Sequence, residues 1–70
     1  MNETSARNKL KGVIKSVTIS GVIAEVLIEL KGGQEVVSII TKGSVNQLCL
    51  KEGDEVYAII KATSVMVGKD

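Results

Sequence analysis

Apolar and polar residues alternate along most of this 70-residue chain, with the period of two that marks half-buried strands. Residues 10–20, LKGVIKSVTIS, are rich in β-branched side chains. Val13, Val17 and Ile19 share a face that Lys15 interrupts, which predicts a first strand. Ser20-Gly21 reads as a turn. Residues 22–30, VIAEVLIEL, set Val22, Ala24, Val26, Ile28 and Leu30 on one face and Ile23, Glu25, Leu27 and Glu29 on the other, a second strand. Lys31-Gly32-Gly33-Gln34 then predicts a hairpin turn, because adjacent glycines accept positive φ at little cost. Residues 35–41, EVVSIIT, form a third strand with apolar side chains on both faces.

The period changes in GSVNQLCL, residues 43–50. Ser44 and Gln47 have capping-box spacing, which predicts a helix of one to two turns with Val45, Leu48 and Cys49 on its buried side. Lys51-Glu52-Gly53-Asp54 is a turn. Residues 55–63, EVYAIIKAT, give a fourth strand, and residues 64–67, SVMV, a short fifth. The fold class is therefore all-β. An OB-like five-stranded barrel with one short helix between strands 3 and 4 fits that order, in a single domain spanning residues 1–70.

Composition bears on how such a barrel is stabilised. A chain this short buries only about 60% of its unfolded surface. With one cysteine and no histidine, neither a disulfide nor a zinc staple is expected. Hydrophobic residues make up 44% of the chain and are almost entirely aliphatic. Several strands are apolar on both faces, so partner subunits are expected to bury the second face, giving a homo-oligomer. Net charge is +1, without a basic block, and Tyr57 is the single aromatic. Stacking platforms for single-stranded nucleic acid are therefore missing, and no nucleic-acid partner is expected. No apolar run approaches the roughly 20 residues that cross a bilayer, and residues 1–9 lack the apolar core of a secretory signal. No membrane partner and a cytoplasmic location are expected.

Enzymatic chemistry finds little support. Histidine, the commonest general base, is absent, and Cys49 reads as a small core residue. Bare-cation ligation is disfavoured with one soft ligand. What remains is a set of three polar stretches, Thr4-Ser5-Ala6-Arg7-Asn8, Thr41-Lys42-Gly43-Ser44 and Lys61-Ala62-Thr63-Ser64. Each contains hydroxyls and none a carboxylate. Arg7 is the single arginine, a directed fork of donors, and Lys61 a compact charge. Ser44 stands at an expected helix N-terminus, which favours anions. Donors without acceptors suit a fully deprotonated tetrahedral oxyanion better than hydrogen phosphate. Plainer readings stand beside this one: a frayed N-terminus, a helix cap at Ser44, and Lys61 as a snorkelling strand residue. No linear spacing shows that the stretches converge.

SARNKLKG, GVIAEVLIEL, SIITKGSV and LKEGDEVYAIIKATSVMV together resemble the molbindins, the small Mop-type molybdate-binding proteins of the TOBE/OB-like domain family. The likeness covers residues 4–67. It implies an OB-like barrel, assembly as a hexamer (a trimer of dimers), and molybdate or tungstate held at subunit interfaces for storage or buffering, with no organic cofactor and no catalysis. Matched position by position, it implies an oxyanion site drawn from Ser5, Ala6, Arg7 and Asn8, from Thr41 and Ser44, and from Lys61, Ala62 and Thr63. Ser38 is implied as a contributor to a second class of site. Lys42-Gly43 departs from the family, where a less flexible, often acidic or polar pair is expected. The alternative is a protein-interaction or regulatory module that keeps the barrel without dedicated anion binding.

Overall fold

The computed structural model describes residues 5–70. Four strands, β1 (Asn8–Ser20), β2 (Ile23–Leu30), β3 (Glu35–Thr41) and β4 (Glu55–Ile60), form one antiparallel sheet in the order β3-β2-β1-β4. Helix α1 (Lys42–Leu48) joins β3 to β4, and a single 3-10 turn, Ala62–Ser64, follows β4. A straight strand of β1's 13 residues would run about 40 Å. The longest dimension of the molecule is 34 Å, so β1 bends and the sheet curls.

The bend has an identifiable cause. The ladder pairs Ile14 with Ile28 and Ser16 with Leu27, leaving Lys15 as an extra residue, a β-bulge. The bulge reverses the side-chain phase of β1. Ile14 pairs with the buried Ile28 before it and Val17 with the buried Val26 after it. The expected face of Val13, Val17 and Ile19 is therefore corrected: Ile14 is 1% exposed and Val13 41% exposed. Burying one isoleucine stabilises by about 1.5–3 kcal/mol, which fixes the phase. Lys15, turned outward, meets Glu35 at 2.8 Å and Glu29 at 3.8 Å.

The core comprises Ile14, Ala24, Val26, Ile28, Val45 and Ala58. Its β2 members are the alternate residues the pattern predicts. Gly12 allows β1 and β2 to approach closely, since a Cβ there would sit 2.7 Å from the Glu29 carbonyl oxygen. The Gly32-Gly33 hairpin forms as expected, with φ of 94° and 90°, closed by the Gly33 N–H donating to the Leu30 carbonyl at 3.0 Å.

The chain beyond Thr41 needs several corrections. Helix α1 begins at Lys42, and its N-cap is Thr41, whose Oγ1 accepts the Ser44 N–H at 3.0 Å. Ser44 is thus the residue being capped, and the Ser44–Gln47 capping box does not form. At the other end Cys49 takes a left-handed conformation, φ 53°, which terminates the helix and turns the thiol outward. Cys49 and Leu48 are exposed, and only Val45 of the expected helical face is buried. Strand β4 stops at Ile60 instead of residue 63, because its ladder partner β1 begins at Asn8, opposite Ile60. Beyond that point the chain closes a 3-10 turn, the Ser64 N–H donating to the Lys61 carbonyl at 2.9 Å. Residues 64–67 have no ladder partner among the described residues, so the fifth strand is absent, and Met66 and Val67 are 91% and 94% exposed. The sheet is a curled half-barrel of four strands where five were expected.

Candidate functional site

The ladder between β1 and β4 decides where the polar stretches go. Asn8 opens β1 opposite Ile60, the last residue of β4. Its side-chain amide Nδ2 donates to the Ile60 carbonyl at 3.2 Å, across 52 residues of chain. This brings Ser5, Ala6, Arg7 and Asn8 to the same end of the sheet as Lys61, Ala62 and Thr63. Ala6 is buried, Asn8 is half-buried, and Ser5, Arg7, Lys61, Ala62 and Thr63 are exposed. Lys61 is held in extended backbone, φ −62° and ψ 139°, as the residue preceding the 3-10 turn. The ion pairs of the described residues involve Lys15 and Lys51. Arg7 and Lys61 take part in none of them, so both bring to this end positive charge that no ion pair among the described residues offsets. Two cations, two exposed hydroxyls and no carboxylate make a set that donates hydrogen bonds and neutralises negative charge.

Thr41 and Ser44 gather elsewhere. Thr41 pairs with Ile23, and Ile23 with Ser20, so they stand at the opposite end of β1 from Asn8. Two hydrogen bonds join them. Thr41 Oγ1 accepts the Ser44 amide and donates to Ser44 Oγ at 2.9 Å. With that bond made, the Ser44 hydroxyl keeps its own proton for an outside acceptor. The Lys42 N–H donates to the Val22 carbonyl at 2.8 Å, fixing the start of α1 against the β1–β2 turn. A Cβ on Gly43 would meet no atom closer than 3.8 Å, so the absence of a side chain there leaves the surface open.

Ser38 belongs to neither cluster. It lies half-buried on the inner face of β3, opposite Val26, and lines an apolar groove of about 400 Å³ with Ile28, Ile40, Tyr57 and Ile59. The expected site residues thus fall into three places in one chain. Among the described residues only those of the first and third stretches meet, Thr4 lying outside the described residues. Lys9 and Lys11, which the reading of the sequence passed over, lie opposite Ile59 and Tyr57 on the exposed side of the same strand pair. The alternation of cations in RNKLK was the signal available for them.

Comparison with known proteins gives a consistent answer. The model of the family described as TOBE domain matches residues 4–67. Molybdenum-pterin-binding protein 3 of Clostridium pasteurianum is 49% identical over 63 residues, covering 90% of this chain and 93% of the relative. A molybdate-binding protein from Sporomusa ovata has the same fold at a TM-score of 0.92 and 40% identity, over 97% of this chain and all of that one. The cytoplasmic molybdate-binding protein ModG, solved with molybdate bound, aligns at a TM-score of 0.89 and 43% identity, over 93% of this chain and 46% of its own.

Proposed function

The chain belongs to the TOBE domain family, and we propose that it is a non-enzymatic binder of molybdate or tungstate that stores or buffers the oxyanion in the cytoplasm. The observation that carries this reading is the junction of Asn8 with Ile60, which brings Arg7 and Lys61 to one end of the sheet in a cluster without a carboxylate among the described residues. Ser5 and Thr63 supply hydroxyl donors there, and the exposed Ala62 is small enough to admit an anion to the backbone. A fully deprotonated dianion needs no acceptor in its site. Hydrogen phosphate does, and this cluster offers few.

The binding site is completed by a second copy of the chain. Arg7 and Lys61 stand at one end of β1 and Thr41 and Ser44 at the other. If both clusters ligate one anion, different copies bring them together. Exposed apolar residues support assembly: Val37, Ile39 and Ile59 are each about half exposed, and Met66 and Val67 almost wholly so. A monomer of this size leaves that much apolar surface in water only at a cost in solubility. A homo-oligomer, the hexamer implied by the family, would bury it.

Calorimetric titration with molybdate, tungstate, sulfate and hydrogen phosphate at neutral pH tests the reading. Molybdate and tungstate are expected to bind much more tightly than phosphate. Equal binding of all four, or of none, overturns it.

A further inference from the structure

We infer that Lys9 and Lys11 form an electrostatic approach to the Arg7–Lys61 cluster, concentrating oxyanions at that end of the sheet without ligating them. The inference rests on the anion-binding reading of that cluster and adds residues lying outside the ligand set. Three observations carry it. The β1–β4 register places Lys9 opposite Ile59 and Lys11 opposite Tyr57, so both lysines share the exposed face of the strand pair that ends at Asn8 and Ile60. Both are exposed, and neither enters the ion pairs of the described residues, which use Lys15 and Lys51. Exposed charge also changes sign along β1. Glu29 and Glu55 flank Val13 from the two neighbouring strands, whereas from Lys11 back to Arg7 every ionisable side chain on β1 or its lead-in is a cation.

This arrangement gives a field with a direction. A dianion near mid-strand meets charges of both signs, since Lys15 pairs with Glu29 and Glu35, and is attracted toward the cations that run from Lys11 back to Arg7 and to Lys61. Lysines on the way raise its local concentration through long-range attraction, which steers charged ligands and is sensitive to salt. Screening sets the scale. The Debye length is about 30 Å at 10 mM salt and about 8 Å at 150 mM. Lys9 and Lys11 stand two and four residues from Arg7, roughly 7 and 13 Å along the strand, so their contribution weakens between those conditions, that of Lys11 most. A direct ligand persists, because it contacts the anion inside that length.

The test is the molybdate dissociation constant of the intact protein at 10 mM and 150 mM salt. Wild type is compared with the Lys9→Gln/Lys11→Gln and Lys9→Arg/Lys11→Arg variants. The glutamine pair is expected to bind on the order of threefold to tenfold more weakly at 10 mM and within about twofold of wild type at 150 mM. The arginine pair, which keeps the charge, is expected to match wild type at both. Equal weakening of the glutamine pair at both salt concentrations, or loss of binding in the arginine pair, makes the lysines ligands or structural residues and overturns the inference. So does an unchanged glutamine pair. Wild type that binds no molybdate at either salt overturns the anion-binding reading itself, and this inference with it.

Discussion

The side-chain amide of Asn8 donates to the carbonyl of Ile60 at 3.2 Å, closing the open end of the β1–β4 ladder. Through this contact residues 5–8 are docked beside Lys61 and do not trail from the sheet. Asn8→Ala removes this side-chain donor and leaves only the backbone ladder at this end. The expected cost is about 1 kcal/mol in chemical denaturation, with a weakening of molybdate binding. Asn8→Asp cannot donate from an ionised carboxylate and adds negative charge beside Arg7. It is expected to weaken molybdate binding more than alanine does, as read by calorimetry.

Gly12 tests the close approach of β1 and β2. An added Cβ would stand 2.7 Å from the Glu29 carbonyl oxygen and 2.7 Å from Ile28 Cγ2. Backbone cannot yield as a flexible side chain can. Gly12→Ala is expected to destabilise the fold by about 1–3 kcal/mol, measured as a lower denaturation midpoint. Gly43→Ala meets nothing closer than 3.8 Å and is expected to leave that midpoint unchanged or raise it slightly through better helix propensity.

Thr41 separates capping from ligation. Thr41→Ala deletes the acceptor for the Ser44 amide and is expected to cost about 1 kcal/mol. Thr41→Ser keeps a hydroxyl at the same place and is expected to restore most of it. Ser44→Ala leaves the cap intact, since the backbone of residue 44 is what Thr41 holds. Its stability is expected to stay near wild type while molybdate affinity falls.

Much of this fold is legible in the sequence, and the misses have physical reasons. Strict alternation over Ala24, Val26, Ile28 and Leu30 gives β2 and its buried face directly, and Gly32-Gly33 gives the hairpin. A bulge is invisible to a period-two reading, because one extra residue at Lys15 swaps the faces of everything before it. Ser44 and Gln47 match a capping pattern, which puts the expected N-cap three residues past Thr41, the residue that caps α1 by accepting from the Ser44 amide. The polar stretches could be named from their lack of carboxylates. Their meeting depends on the Asn8–Ile60 register, which no linear spacing encodes. Val65, Met66 and Val67 resemble a strand by composition, yet a strand requires a neighbouring edge, and the described residues of one chain offer them none.

The Lys15 ion pairs predict a pH dependence in the alkaline range. The hydrogen bond that Lys15 Nζ donates to Glu35, with the nearby charges of Glu35 and Glu29, raises the Lys15 ammonium above its ordinary value of 10.5. A raised value means the folded state holds the proton more tightly than the unfolded chain. The pairing therefore contributes fully below pH 10.5 and is lost as pH rises through the folded-state value. All three side chains are substantially exposed, so the contribution is small and screened by salt. The stability difference between wild type and Lys15→Gln is expected to be flat from pH 7 to about 9.5 and to shrink above it. A difference that grows with rising pH would contradict this assignment.

Anomalous diffraction at the molybdenum edge, from crystals grown with molybdate, tests the central claim most directly. The expected result is a molybdenum peak within hydrogen-bonding reach of Arg7 and Lys61, with residues 5–8 ordered around it and a second copy of the chain completing the site. No such peak, or one distant from both Arg7 and Lys61, would contradict the account.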